Sequence, residues 1–186
     1  FIPMGSIFKM VYLANKIHAL IRDDSENQEY NRELQFNILI GDYISGCILK
    51  KLSKLKADNL LPLFSEMICD INEGMMMKYK LGWAENKVIK KSKASIYRTA
   101  FLTATQLANV DDQERELFAQ LGYNMGMAIE LINDDQQIEK VFRHVDLSGD
   151  LFQRINSRRN TANSRLEKML KELHGFVYGI EKAVVV

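Results

Sequence analysis

The chain has 186 residues, 47% of them apolar, and a net charge of +1 from 25 Lys and Arg against 24 Asp and Glu. That length supports one domain with a sizeable core. The balanced charge excludes a nucleic-acid partner steered by bulk electrostatics, no apolar run reaches the length of a membrane span, and no stretch reads as a signal peptide.

Only two prolines, Pro3 and Pro62, interrupt the chain. Sparse prolines and glycines favour long helices. The first is predicted over about 4–22, with Ile7, Phe8, Met10, Val11, Ala14, Ile17, Leu20 and Ile21 at helical spacing. The polar run "RDDSENQEYN" is a loop. A second helix is predicted over about 33–55, and Gly41 and Gly46 inside it each cost about 1 kcal/mol in propensity. Such glycines indicate close approach to a neighbouring backbone. A third covers about 57–79, with Asp58 as N-cap and Pro62 in the first turn.

"LGWAEN" is a turn, followed by a helix over about 85–108. In "NVDDQERE" Asp111 or Asp112 caps a fifth helix running to about 143, with an acidic first turn suited to the helix dipole. "HVDLSGD" is expected to be a loop, and a last helix spans about 150–182. No segment alternates as a strand, so the fold class is all-α, a bundle of long antiparallel helices forming a single domain over 1–186. The apolar opening "FIPMGSIFKM" leads us to expect that N-terminal helices of the natural protein lie outside this chain.

Cys47 and Cys69 lie far apart in apolar segments, too far for a metal spacing, and are expected to be buried thiols in a reducing cytoplasm. His18, His144 and His174 are scattered, and His18 reads as a core histidine. Met67 and "MMM" at 75–77 read as adaptable packing. The clusters "KVIKKSK" and "INSRRN" read as solvated helix faces.

The stretch "LINDDQQIEKV" carries the strongest chemical signal. A helical Asp-Asp-x-x-Asp pattern puts its first and last carboxylates on one face, where they converge on Mg²⁺ and, through it, on a diphosphate. Here the three ligand places fall on Asn133, Asp134 and Gln137, so one ligand in three is charged. Mg²⁺ sheds water reluctantly and prefers carboxylates, so Asp134 with two amides makes a weak metal site. Glu130 and Asp134 share a face, as do Asp135 and Glu139. In "RDDSEN", Asp23, Asp24 and Asn27 imitate the same pattern. A solvated acidic segment accounts equally well for either stretch.

Several segments in order resemble the trans-prenyl diphosphate synthases, an all-α family with the isoprenoid-synthase fold. "YLANKIH" is similar to the helix that leads into that family's "HDD". "ILIGDYISGCILKKLSKL" resembles "LAGDYLLARAL", and "INEGMMMKYKL" resembles the "SEGE" helix. "KSKASIYRTAF" through "GYNMGMAIELINDD" follows the stretch from "KTASLF" to "GLAFQIVDD". The match covers most of 4–140. In that family two aspartate-rich motifs hold Mg²⁺ and an allylic diphosphate, which ionises and is attacked by isopentenyl diphosphate.

This chain departs from the pattern at each metal site. After His18 it reads Ala19, Leu20, Ile21 and Arg22 where the first motif belongs, and the usual "RRG" is absent. The second motif is reduced to Asp134 with Asn133 and Gln137. The lysine of "KTAS" falls on Ser92, between Lys91 and Lys93, and "KDLREGKxTLP" shrinks to "VDLSGDL".

These departures resemble component 1, the small subunit of two-component heptaprenyl or hexaprenyl diphosphate synthases. The resemblance implies an accessory subunit with no cofactor of its own, paired with a catalytic large subunit that holds most of the Mg²⁺. The complex would elongate an allylic diphosphate for quinone, by family implication menaquinone, side chains. It implies a partner interface at Gly41, Ser45, Gly46, Phe64, Met67 and Ile71, a weak substrate contact at Lys93, and a chain-tunnel position at Ala14. No nucleic acid is expected as a partner; isoprenoid diphosphates are, in the complex, and whether the chain alone forms a homodimer stays open. Two alternatives stay open: a Mg²⁺-dependent synthase active alone through Asp23, Asp24, Asp134 and Glu130, and a helical interaction protein that touches no isoprenoid.

Overall fold

The structure is a computed structural model that describes residues 2–19, 32–132, 138–159, 167–168 and 170–175. All regular structure among them is helical. The chain divides into two compact units, 1–66 and 67–186, with the division inside one continuous helix.

In the first unit, α1 (Ile2–His18) packs along α2 (Arg32–Lys54). Ile7, Val11 and Ala14 are buried at three- and four-residue steps, which puts them on one stripe of α1. α2 turns Gly41, Ile48 and Leu52 inward. A Cβ on Gly41 would overlap the His18 ring, so glycine here is what lets the histidine lie against the α2 backbone. His18 is half-buried. Phe8 of α1 meets Phe64 with ring centroids 5.2 Å apart.

A 3₁₀ turn (Asp58–Leu60) leads from α2 into α3 (Leu61–Leu81). Asp58 was expected to cap, but the N-cap place of this turn is taken by Ala57, and no side chain closes it. Pro62 sits in the first turn of α3, where a missing N–H is harmless.

In the second unit, α4 (Glu85–Val88), a π turn (Ile89–Lys93) and α5 (Ala94–Leu107) form one helical run. Asn109, with φ 51°, ends it. α6 (Asp112–Leu131) starts at Asp111, whose Oδ1 accepts a hydrogen bond from the Glu114 backbone N–H at 3.0 Å. α5 packs along α6, and α6 along α7 (Ile138–Arg159). Their core joins Ile89, Ala94, Met127, Ala128, Leu131, Val141 and Val145. A second cluster joins Leu117, Leu121, Met125, Leu151, Phe152 and Ile155.

α7 corrects the expected loop at "HVDLSGD". Residues 144–150 are helical and continuous with both flanks. Val141, Val145, Ser148, Phe152 and Ile155 keep a three- and four-residue rhythm through the segment, and all are buried. Ser148 donates to the His144 carbonyl at 2.8 Å, which satisfies its hydroxyl inside the helix. Burial of that stripe outweighs the loop propensity of Asp146, Ser148 and Gly149. The thiols also differ from expectation. Cys69 is exposed and Cys47 half-buried, because both lie away from the buried stripes of their helices.

Candidate functional site

α5 and α6 run antiparallel and interlock by a ladder at four-residue steps. A Cβ on Gly122 would stand 2.6 Å from the Phe101 ring and 2.8 Å from the Tyr97 carbonyl oxygen. A Cβ on Gly126 would stand 2.6 Å from the Tyr97 ring. One turn further along α6, Glu130 receives the Tyr97 hydroxyl at 3.0 Å on Oε1 and the Lys93 ammonium at 3.3 Å on Oε2. The Glu130 side chain is 1% exposed and that of Lys93 28%. A buried carboxylate needs a compensating charge and hydrogen bonds; here Tyr97 supplies the hydrogen bond to Oε1 and Lys93 the opposite charge beside Oε2.

The π turn arranges the lysines around this ladder. Its Ala94 N–H bonds back to the Ile89 carbonyl, five residues earlier. Ser92 points inward, donates to the Val88 carbonyl at 2.7 Å, and lies so near α3 that a Cβ on Gly74 would come within 2.7 Å of its own Cβ. Lys91 faces the other way and binds Asp70 at 2.6 Å and Glu73 at 3.0 Å. Hydrogen bonds that Lys91 donates to Asp70 and then to Glu73 raise its pKa above the ordinary lysine value. The position where the resemblance expects a lysine thus holds a buried serine, and both flanking lysines are engaged with carboxylates of the chain itself.

A second polar node joins α6 to α7. Asn124 Nδ2 donates to the Gln120 carbonyl at 2.8 Å, which leaves its Oδ1 to accept from His144 Nδ1 at 2.8 Å. That arrangement selects the Nδ1–H tautomer of a neutral ring. Burial, and then the Arg143 charge, lower the His144 pKa. Burial raises the pKa of Tyr123, whose ring meets His144 edge-on at 6.4 Å. An open groove of about 670 Å³ beside this node is lined by Gln120, Asn124, Leu151, Asp150 and Arg154 among others.

Asp134, Asn133 and Gln137 lie outside the described residues, as do Asp23, Asp24 and Asn27. Glu130 is placed, and it bonds Lys93 and Tyr97. Among the described residues no group of three or more His, Cys, Asp or Glu is arranged to hold a metal ion, and no described helix is long and apolar enough to cross a membrane. Ala14 is buried on the inner stripe of α1.

The residues expected at a partner interface divide. Gly41, Phe64, Met67 and Ile71 are buried within this chain. Ser45 is half-buried and donates to the Gly41 carbonyl of its own helix at 3.0 Å. Gly46 alone of the six faces open space, with nothing within 4 Å of an added Cβ. Among the described residues, the large apolar side chains that α2 exposes are Phe36, Ile38, Leu39, Tyr43 and Leu49, with Leu39 66% and Tyr43 73% exposed. Phe36, Leu39, Tyr43 and Gly46 fall on one face at three- and four-residue steps. Sequence reading missed this stripe, because α2 is apolar on both sides and, of its two glycines, Gly46 lies on the exposed side and Gly41 on the buried one.

The all-helical topology is that of an isoprenoid synthase fold. Solved structures show the same architecture. A medium/long-chain prenyl pyrophosphate synthase from Arabidopsis, in its apo form, matches with a TM-score of 0.71 at 12% identity, covering 95% of this chain and 79% of that one. A geranyltranstransferase from Thermotoga maritima matches with a TM-score of 0.63 at 15% identity, covering 95% and 82%. A decaprenyl diphosphate synthase from Rhodobacter capsulatus matches with a TM-score of 0.60 at 14% identity; it covers 71% of this chain, which spans 45% of that protein's length. No curated protein sequence matches the chain. Residues 6–174 match the family model of heptaprenyl diphosphate synthase (HEPPP synthase) subunit 1, and the chain belongs to that family.

Proposed function

We propose that the chain is the accessory subunit of a heterodimeric trans-polyprenyl diphosphate synthase. Membership of the subunit 1 family carries this reading. The complex adds isopentenyl diphosphate to an allylic diphosphate and makes a medium-length chain for a quinone. Cytoplasmic placement and a menaquinone product belong to the same reading.

Mg²⁺ does not fit the donors of this chain. Ala19 to Arg22 stand where the first aspartate motif belongs, and the second offers Asp134 between two amide positions. An arginine and neutral amides cannot replace the carboxylates that Mg²⁺ requires. The catalytic partner therefore supplies both aspartate motifs, and the metal belongs to its cavity.

The partner packs on the outer face of α2. Phe36, Leu39 and Tyr43 supply apolar area there, and Gly46 lets a facing helix come close. Burying each large side chain contributes about 1.5–3 kcal/mol to such an interface. Co-expression with the catalytic subunit, followed by size-exclusion chromatography, tests the reading. The chain should co-elute with its partner, and the variant L39D/Y43D should elute alone while keeping its helical circular dichroism. Co-elution of that variant would remove α2 from the interface, and failure of the unmodified pair to associate would remove the accessory role.

A further inference from the structure

The turn between α3 and α4 carries a feature that neither the core nor the accessory role uses. α3 ends at Leu81, and Gly82 adopts φ +58°. The Trp83 N–H then bonds the Met77 carbonyl at 3.2 Å. This seven-residue closure, over 77–83, with a left-handed glycine fixes the helix end. In such closures the residue after the glycine commonly packs back on the helix. Here the apolar side chains stay in water instead: Leu81 is 65% exposed, Met76 63% and Trp83 38%.

Cations surround them. Lys87 places its ammonium 4.9 Å from the centre of the Trp83 ring. Lys80 lies one helical turn after Met76, and Lys90 three residues after Lys87; both are exposed, and neither makes an ion pair with a described residue. Lys78 is offset by Glu85 at 3.3 Å, a contact that also ties α3 to α4 across the turn. Lys80, Lys87 and Lys90 thus give the patch three uncompensated positive charges, on a chain whose net charge is only +1.

We propose that this turn docks on the surface of an anionic lipid bilayer. Exposed Leu and Trp side chains flanked by lysines match the chemistry of a bilayer interface, where apolar groups enter the acyl boundary and ammonium groups meet lipid phosphates. A nucleic acid fits less well. Lys87 occupies a face of the Trp83 ring, so no open stacking platform remains, and Leu81 and Met76 offer nothing to a phosphate backbone. The inference is independent of the accessory role.

Trp83 is the only tryptophan in the chain, so its fluorescence reports this turn directly. The full chain is titrated with vesicles of phosphatidylglycerol and phosphatidylcholine, and with vesicles of phosphatidylcholine alone. The anionic vesicles should shift Trp83 emission to the blue and shield it from an aqueous quencher. High salt should reverse both effects, because screening shortens the reach of each lysine. At about fivefold in affinity per lysine, K80Q/K90Q should weaken binding roughly thirtyfold while leaving the Lys87–Trp83 contact intact. L81D should abolish the blue shift. Equal response to both vesicle types, or unchanged binding by K80Q/K90Q, overturns the proposal. So does a response to an oligonucleotide with none to vesicles, or loss of vesicle binding when the catalytic partner is bound.

Discussion

Replacing Gly126 by alanine tests the α5–α6 ladder. The new Cβ would stand 2.6 Å from Tyr97 Cδ2, 2.7 Å from Cγ and 2.8 Å from Cβ. Carbon atoms settle at about 3.5–4.0 Å, so the helices must part by roughly 1 Å. Rotating the ring cannot relieve the contact with Tyr97 Cβ, which is fixed to the α5 backbone. Separation strains the two contacts one turn on, Tyr97 to Glu130 at 3.0 Å and Lys93 to Glu130 at 3.3 Å. Overpacking costs about 1–3 kcal/mol. Alanine regains about 1 kcal/mol of helix propensity. The net loss is about 0–2 kcal/mol, a fall in Tm of up to about 8 °C for a chain of this size. Gly149→Ala is the matched control, since nothing lies within 4 Å of its added Cβ. It should raise Tm by about 2–4 °C. Calorimetry of both variants decides the matter: a Gly126→Ala protein whose Tm rises as far as that of Gly149→Ala would refute the close packing.

Glu130→Ala should cost about 1–3 kcal/mol in urea unfolding, because Lys93 and Tyr97 lose their buried acceptor. Glu130→Gln, which can still accept from Tyr97, should cost less, and the reverse order would show that the Tyr97 hydrogen bond is not a stabilising element. The depressed His144 pKa implies that the folded state binds fewer protons than the unfolded chain. The His144 contribution should therefore be intact above about pH 6.5, begin to fail as pH falls through that unfolded value, and be lost below the folded pKa. The stability–pH profile of His144→Gln should lack this slope, and an unchanged slope would assign it elsewhere. Asp111→Ala should lower stability by about 1 kcal/mol through loss of the Glu114 N–H acceptor, read as a shift in urea midpoint without a change in m-value.

Much of the fold was legible because its helices are amphipathic and its breakers few. The stripe Ile7, Val11 and Ala14, the Asp111 cap and the Gly82 turn could each be read from local pattern. The apparent loop at 144–150 could not, since Asp146, Ser148 and Gly149 favour turns locally, and only burial of Val145, Ser148 and Phe152 shows why the helix continues. At the candidate site, sequence spacing put Glu130 on a helix face with Asp134, but its engagement by Lys93 and Tyr97 depends on a register between two helices that no local window contains. The exposed face of α2 was hidden for a related reason. Periodicity reveals that a helix has apolar stripes, and only tertiary packing reveals which of two stripes the chain covers.

The most direct test of the account is turnover. The purified chain, a catalytic subunit and the two together are each given Mg²⁺, farnesyl diphosphate and labelled isopentenyl diphosphate, and the products are resolved by length. Long-chain product should form only, or at least tenfold faster, when both polypeptides are present, since a tenfold gain corresponds to about 1.4 kcal/mol of barrier. Elongation by this chain alone, or a catalytic subunit whose rate and product length ignore its presence, would contradict it.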